Sequence, residues 1–468
     1  MPQLSPKAMW LTAAVIAVLT VAAVVVLWWP ATAGLTGDKL VSNRLDALKI
    51  GLSIGLGSGG VVALYLSWRR QDSTERTLVH QQEVHTTTMA HQNLVARNTE
   101  HDAAQRRLNE LYLKAVEQLG SPKAAVRHGG LYALEQVAQD DPKRQQTVVN
   151  VICAYLRGPY TPPPDTAGPR PLGVRRPLLT STDRPRTPAS APNGGTREDQ
   201  LQEREVRLTA QRILHQNLQP GPDPDHPRPE FWRAIDLDLT GATLIDFSLA
   251  HCRIANASFR KTTFIGGAWF AGAEFGGGAW FTGAKFGGYA EFAEAKFGSY
   301  AEFGGAEFGG YADFAEAKFD SYAVFDEAKF GGKAEFGGAE FGGRAGFGGA
   351  KFGGVAWFGD AKFGGVAGFA GAKFGDGFGF TGAKFGDEAR FDDAKFGGDA
   401  WFDDARFGGV TWFGGAEFGG EAVFGGAVFG GYAVFDDAVC DGRVFDPAEH
   451  GVILPADEPD STEGQGSP

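Results

Sequence analysis

The second half of the chain places large apolar residues at fixed intervals. Six of them come at five-residue steps: Leu239, Leu244, Leu249, Ile254, Phe259 and Phe264. From Phe264 to Phe435 the steps then alternate between six and five residues. Alanine stands two positions before almost every phenylalanine, and glycine or a carboxylate usually follows it. This glycine density excludes a helix, because each internal glycine costs a helix about 1 kcal/mol.

The pattern predicts a β-solenoid with four short sides. Side chains alternate in an extended segment, so the phenylalanine and the alanine two before it point inward and the residue between them points outward. The next two residues turn a corner, where glycine adopts positive φ without steric cost. Two steps of five and two of six close a coil of 22 residues. Each phenylalanine should stack on that of the next coil, about 4.8 Å away, and stability should come from stacking.

The repeat resembles a known family. Residues 240–259, TGATLIDFSLAHCRIANASF, are similar to the pentapeptide-repeat consensus A-(D/N)-L-x-x, and AKFGG and AEFGG are its phenylalanine-centred variant. The resemblance covers roughly 234–446 and implies an all-β right-handed quadrilateral β-helix, from which the 11-residue unit departs. The order of the other segments resembles the membrane-anchored pentapeptide-repeat proteins of actinobacteria.

Two apolar stretches near the start predict a membrane anchor over residues 1–70. Residues 9–29 and 50–68 carry no charge, and each is long enough to cross a hydrocarbon core of roughly 30 Å. We expect two transmembrane helices there, hence a multi-pass protein of the plasma membrane in contact with the lipid bilayer. A slight bias of lysine and arginine favours cytoplasmic N- and C-termini. The alternative is a signal peptide cleaved at residues 31–34.

The remaining segments are predicted from periodicity and composition. Apolar stripes within residues 71–158 indicate α-helix, with three short amphipathic helices over 106–157. One of these resembles a HEAT-type helix, which favours protein contact; a spacer bundle is the alternative. Residues 159–197 form a proline-rich linker that we expect to be disordered. Residues 198–233 predict a short helix, about 198–217, and an N-terminal cap for the solenoid at 234–446. The acidic tail, 447–468, is expected to be disordered.

The net charge and the spacing of potentially reactive residues argue against several classes of function. The net charge is −12, and residues 234–446 hold 30 acidic and 17 basic side chains, so the net acidity lies on the solenoid. That balance argues against direct binding of nucleic acid. Cys153, Cys252 and Cys440 have neither disulfide nor metal spacing, which favours a reducing compartment. The pattern Gly55-x-Gly57-x-x-Gly60 matches a dinucleotide-binding motif but lies inside an apolar stretch. The four-residue spacing of Gly51, Gly55 and Gly59 favours close helix packing there instead. We therefore expect no cofactor, no metal and no catalytic site.

The outward position before each phenylalanine supplies the candidate partner surface. Positions 22 apart should stack, so Trp269, Trp357 and Trp401 are predicted to share one face, with Trp280 and Trp412 on the opposite face. Tryptophans flanked by charge are typical of protein interfaces. The alternative is that these rings only pack against neighbouring strands.

These features favour a membrane-tethered, non-enzymatic scaffold for an unidentified protein partner, with open solenoid ends that could pair as a homo-oligomer. The resemblance implies one alternative, because some soluble members of the family mimic DNA and regulate a type II topoisomerase. The lysines that interrupt the acidic surface argue against that function here. A third hypothesis is a sensor that relays membrane signals through the helical module. The fold alone does not choose between them.

Overall fold

The computed structural model describes residues 6–32, 38–163, 196–223 and 226–453. The chain divides into two compact units, residues 1–106 and 107–468. Most of the predicted linker and the part of the predicted tail beyond residue 453 lie outside the described residues.

The first unit contains two helices. Helix α1 spans Pro6–Thr32, and helix α2 spans Asp38–Leu119, so that its last turns belong to the second unit. The two helices approach closely at Gly51, where an added Cβ would overlap the side chain of Val24. The predicted role of glycine in helix packing is met at this position. Gly57 has open space around it.

The predicted transmembrane spans at about 9–29 and 50–68 are not supported. Within the described ranges, none of the helices combines enough length with enough apolar character to cross a bilayer. The apolar stretch at 50–68 is not a separate element, because it belongs to α2, which continues into charged sequence as far as Leu119.

Three further helices begin the second unit. Helix α3 spans Ala124–Asp140; a 3-10 turn at Pro142–Arg144 leads into α4, Gln145–Arg157; and α5 spans Arg197–Leu218. Helix α5 corresponds to the helix predicted at about 198–217. The predicted apolar stripes are buried at the following residues: Ala115, Leu119, Leu134, Val137, Val148, Val149, Ile152, Leu156, Val206, Ala210, Ile213 and Leu214. Val116, which lies beside Ala115 near the end of α2, is instead exposed.

The helices cover the first coil of the solenoid, and one hydrophobic core runs from α3, α4 and α5 into the strands. Three glutamines bind the free backbone edge of that coil. The Gln211 side chain donates to Ile245 O at 2.7 Å and accepts from Ile245 N at 3.1 Å. Gln146 makes the same pair of bonds with Asp236, both at 2.8 Å, and Gln219 donates to Ala250 O. These carboxamides replace a missing strand, which removes an exposed sheet edge.

The solenoid has four faces, numbered in chain order. Face 1 is a ten-stranded parallel sheet of β1 Asp236–Asp238, β4 Asn256–Ser258, β7 Ala279–Trp280, β11 Ala301–Glu302, β15 Ala323–Val324, β19 Ala345–Gly346, β23 Ala367–Gly368, β27 Ala389–Arg390, β31 Thr411–Trp412 and β35 Ala433–Val434. Face 4 is a nine-stranded sheet of β3 Arg253–Ile254, β6 Glu274–Phe275, β10 Lys296–Phe297, β14 Lys318–Phe319, β18 Glu340–Phe341, β22 Lys362–Phe363, β26 Lys384–Phe385, β30 Arg406–Phe407 and β34 Val428–Phe429.

Faces 2 and 3 are joined through two long strands, β2 Thr243–Ser248 and β5 Thr263–Trp269. Face 2 continues with β8 Lys285–Phe286, β12 Glu307–Phe308, β16 Lys329–Phe330, β20 Lys351–Phe352, β24 Lys373–Phe374, β28 Lys395–Phe396, β32 Glu417–Phe418 and β36 Val439–Cys440. Face 3 continues with β9 Ala290–Glu291, β13 Ala312–Asp313, β17 Ala334–Glu335, β21 Ala356–Trp357, β25 Gly377–Gly379, β29 Asp399–Trp401 and β33 Ala422–Val423.

The 22-residue coil is confirmed by the strand register. Phe297 pairs with Phe319 and Ala312 with Ala334, each 22 positions on. The first coil is shorter, because Leu237 pairs with Ala257, 20 positions on. The pairing register shifts between Ile245 and Phe247, and the regular 22-residue spacing follows after this shift.

The core consists of stacked phenylalanine rings, as the sequence predicts. On face 3, Phe314, Phe336 and Phe358 stack with centroids 4.9 and 4.6 Å apart and are fully buried. Rings of face 1 meet this column edge-on; Phe325 lies 5.5 Å from Phe336 at 89°. Offset stacks and edge contacts are both favourable aromatic geometries. The alanines between them are fully buried and leave room for the rings.

Phe378 breaks this packing because it occupies an alanine position. Its ring centroid lies 3.9 Å from that of Phe374, and it pushes Phe380 out of the regular stack, 28° from the plane of Phe358. Neighbouring stacked pairs on this face deviate by only 1–2°. The extra ring therefore tilts the ring of Phe380 in its column, whereas Phe374 stays stacked within 6° of its two neighbours.

The corners alternate between two kinds, which corrects the sequence prediction. Every eleventh residue from Gly272 to Asp437 has positive φ, always two positions after a phenylalanine of face 1 or 3. Between residues 272 and 437, the longer corners after faces 2 and 4 contain no residue with positive φ. There glycine serves close approach instead: a Cβ on Gly310 would lie 2.6 Å from Gly288 O of the preceding coil, and one on Gly332 would lie 2.7 Å from Gly310 O.

At Gly305, the free-energy cost of positive φ in a short corner can be measured separately from steric overlap. It has φ +62° and nothing lies within 4 Å of an added Cβ. Gly305→Ala is therefore expected to lower the free energy of unfolding by about 1 kcal/mol through backbone conformation alone. Asparagine tolerates this conformation, so Gly305→Asn should lose clearly less in the same urea titration. Equal losses would show that space, not φ, selects glycine here.

The C-terminal end is covered by a hairpin and a turn. Strand β36 pairs antiparallel with β37, Arg443–Val444, and a 3-10 turn follows at Pro447–His450. Phe445 is buried against Phe435, with the imidazole of His450 stacked on its other side at 4.6 Å. The prediction of disorder from residue 447 is therefore wrong for 447–453.

Candidate interaction surface

Faces 2 and 4 carry charge ladders, formed by the outward residue of each strand. On face 2 the rungs are Lys285, Glu307, Lys329, Lys351, Lys373, Lys395 and Glu417. On face 4 they are Arg253, Glu274, Lys296, Lys318, Glu340, Lys362, Lys384 and Arg406. The side chains are held in register by the backbone ladders, so each rung faces the next.

Three glutamates in these ladders each lie between two cations. Glu307 accepts from Lys329 Nζ at 2.9 Å and lies 3.5 Å from Lys285 Nζ. Hydrogen bonding from Lys329, and then the charge of Lys285, lowers the pKa of Glu307. The same arrangement occurs twice on face 4, where Glu274 lies between Arg253 and Lys296, and Glu340 lies between Lys318 and Lys362.

Glu307→Gln tests how much such a triad contributes to the free energy of unfolding. Because the pKa of Glu307 is lowered in the folded state, its contribution is present at neutral pH and is lost as the pH falls through that lowered pKa. The exposed location limits the expected loss of stability at neutral pH to about 0.2–1 kcal/mol. The variant should also lose less stability than the unaltered chain as the pH falls below the ordinary pKa of glutamate. Glu316→Gln, at a corner without a cation within 4 Å among the described side chains, should change neither quantity.

Four cations of the ladders have no carboxylate within 4 Å in the described part of the chain: Lys351, Lys373, Lys384 and Arg406. Lys351 and Lys373 are register partners on face 2, and Lys384 and Arg406 on face 4. Like charges directly opposite each other destabilise a ladder.

The tryptophans have the predicted arrangement. Trp269, Trp357 and Trp401 lie on face 3, and Trp280 and Trp412 lie on face 1. The two sets belong to different sheets on opposite sides of the four-sided coil. Their role as a partner surface stays a prediction.

Each of these rings is half-buried against its own chain. The ring of Trp357 covers Gly359 and Gly379, and a Cβ on either glycine would overlap it. The Arg260 guanidinium lies 4.7 Å from the ring centre of Trp280. Trp412 Nε1 donates to Glu388 Oε1 at 2.7 Å. These contacts agree with the alternative of packing between strands, and they also fix the rings in one orientation.

A tyrosine series is part of this surface that the sequence analysis missed. Tyr289 and Tyr311 precede two strands of face 3 and stack with centroids 5.3 Å apart. The Tyr289 hydroxyl donates to Asp313 Oδ2 at 3.2 Å, and burial together with that carboxylate raises the pKa of Tyr289. The sequence does contain a signal for this series, because tyrosine recurs at every eleventh position from 289 to 322.

The described residues offer few groups suited to catalysis or metal binding. The three cysteines are free, and burial raises the pKa of Cys153 to about 12, which keeps its thiol protonated and unreactive. In the ranges that the structure describes, no group of three or more His, Cys, Asp or Glu side chains is arranged to hold a metal ion.

Comparison with known proteins agrees with the strand pattern. The family model described as Pentapeptide repeats (9 copies) matches residues 239–285, 281–328, 315–362, 325–373, 358–406 and 402–445. Comparisons with curated proteins and with solved structures gave no match. Residues 239–445 of this chain are therefore similar to pentapeptide repeats and form a β-solenoid of about nine turns.

Proposed function

We propose that the solenoid is a non-enzymatic scaffold that binds a protein partner through its ordered faces. The observation that supports this is the fixation of outward side chains: tryptophan rings rest on glycines, and charged side chains pair between rungs. A surface that is already ordered loses little side-chain entropy on binding.

Face 3 is the best candidate for the contact. It combines three tryptophans with a run of acidic rungs, Glu291, Asp313 and Glu335, that are register partners. Aromatic anchors beside charge are typical of binding hot spots. Face 1 has fewer such groups, because glycine occupies its rungs at Gly346 and Gly368.

The test is proximity labelling and pull-down with the full chain and two matched double variants. Trp357→Ala with Trp401→Ala removes two rings of face 3, whereas Trp280→Ala with Trp412→Ala removes two rings of face 1. We expect partner capture to fall only for the first variant, with both variants folded by circular dichroism. Equal capture by all three proteins, or none above background by the unaltered chain, would contradict the proposal.

Location at the plasma membrane is a further part of the proposal. It is supported by large apolar side chains that α1 exposes, among them Trp10, Leu11 and Val18. Exposed apolar surface of this kind is favourable only when lipid or protein covers it. Fractionation followed by alkaline extraction tests this location; recovery of the chain in the soluble fraction before extraction would exclude it.

Regulation of a type II topoisomerase is the second candidate. The acidic rungs of face 3 favour it, because a DNA mimic presents a row of negative charge. The cation ladders on faces 2 and 4 oppose it, since they interrupt that charge on two of the four sides. Inhibition of gyrase supercoiling by the full chain at micromolar concentration would support this candidate, and unchanged supercoiling would remove it.

A further inference from the structure

We propose that face 4 binds an acidic segment of the same chain, residues 454–468. This segment carries Asp457, Glu458, Asp460 and Glu463. In the proposed contact its carboxylates pair with Lys384 and Arg406, the two cations of face 4 that have no carboxylate within 4 Å among the described residues.

The ladder of face 4 is incomplete at this end. Its first six rungs form two triads, each with a glutamate between two cations: Arg253, Glu274 and Lys296, then Lys318, Glu340 and Lys362. The third triad begins with Lys384, but Arg406 stands where a glutamate would be expected, and Val428 follows. Both cations are exposed and are register partners. Their mutual repulsion would be relieved by an anion from elsewhere.

The chain leaves the solenoid beside this gap. Phe424 N donates to His450 O at 3.2 Å, and Gly451 lies against Phe424 and Gly425. Those residues lie in the corner between β33 on face 3 and β34, the last strand of face 4. The described chain therefore ends next to face 4, with Ile453 exposed at 77%.

The distances allow the contact. Arg406 lies one coil before Val428, and Lys384 lies two, so they are about 5 and 10 Å from the last rung at the usual strand spacing. An extended chain spans about 3.4 Å per residue, so the four steps from Ile453 to Asp457 cover up to about 14 Å. The next acidic residues reach further back along the face.

Face 2 is the less suitable acceptor. Its unpaired cations, Lys351 and Lys373, lie on the opposite side of the coil and three to four coils before β36. Asp403 and Asp404 precede Arg406 at the corner before face 4, so like charge opposes the approach of the segment from that corner. The contact is between exposed charges and should therefore weaken with salt.

Lysine reactivity in the full chain tests the contact. We expect Lys384 to be acylated about two- to fivefold more slowly in the unaltered chain than in the variant Asp457→Asn, Glu458→Gln, Asp460→Asn, Glu463→Gln. Lys351 should react equally in both proteins, which makes it the internal control. Salt at about 0.5 M should raise the reactivity of Lys384 toward that of the variant. Equal reactivity of Lys384 in both proteins would overturn the proposal.

Zero-length carbodiimide cross-linking identifies the occupant. Cross-links from Lys384 to the four acidic residues within one chain are expected. An equimolar mixture of ¹⁴N- and ¹⁵N-labelled chains separates contacts within a chain from those between chains. Cross-links only between differently labelled chains, or cross-links of the segment to Lys351 and Lys373 instead, would contradict it.

Discussion

Phe336→Ala is expected to lower the free energy of unfolding by about 3–5 kcal/mol. The ring is fully buried and contacts the rings above and below it in the column, and the edges of Phe325 and Phe347. Alanine would leave a cavity whose walls belong to continuous backbone ladders, which cannot collapse into it. Urea unfolding followed by far-ultraviolet circular dichroism measures the loss.

Phe378→Ala is the matched control, because it removes the same atoms from an alanine position. The register partners of Phe378 on face 3 are Ala356 and Ala400, so alanine is the residue that the regular coil accommodates. Removal of the ring lets Phe380 return to its stack between Phe358 and Phe402, and we expect a loss below about 1.5 kcal/mol. If the two variants lost equal stability, the distinction between ring and alanine positions would be wrong.

Gln211→Leu is expected to cost about 2–4 kcal/mol and to promote aggregation. The substitution leaves both Ile245 N and Ile245 O without partners at a buried site, and each such group costs about 1–3 kcal/mol. It also exposes the first edge of the stacked strands to other chains. Thermal unfolding and light scattering measure the two effects.

Gln136→Leu provides the comparison for that variant. Gln136 is exposed on α3, and among the described residues its side chain bonds only to Asp140, one turn away. Its replacement should change stability by less than about 0.5 kcal/mol and leave scattering unchanged. A similar loss in both variants would mean that the glutamine contributes through helix propensity or solubility rather than through the edge of the solenoid.

The sequence predicted the interior of the solenoid well, because the interior repeats. Phenylalanine and alanine alternate with the strand period, so the residues themselves give the inward positions, the 22-residue register and the pairing of Trp357 with Trp401 on one face. Phe378 was recognised as an occupant of the alanine position, but the tilt of Phe380 depends on packing that spacing does not contain.

The ends and corners could not be predicted in the same way. Gln146 and Gln211 look like ordinary polar helix residues, and only the tertiary contact reveals their bonds to the strand edge. Glu294 and Glu316 adopt positive φ although glutamate rarely does, so composition did not distinguish the two kinds of corner. The apolar stretches near the start met the usual length for a bilayer span, yet the second belongs to a much longer helix.

The equivalence of positions 11 apart has a consequence for how such a chain can change length. Loss or gain of 22 residues would preserve every face and alter the solenoid by one coil, about 4.8 Å. Loss or gain of 11 residues would keep the alternation of corners and the ring columns, but it would turn all later coils by half a revolution. Trp357 and Trp401 would then align with Trp280 instead of Trp269. Duplication of one unit could thus redirect the display surface without any substitution in the core.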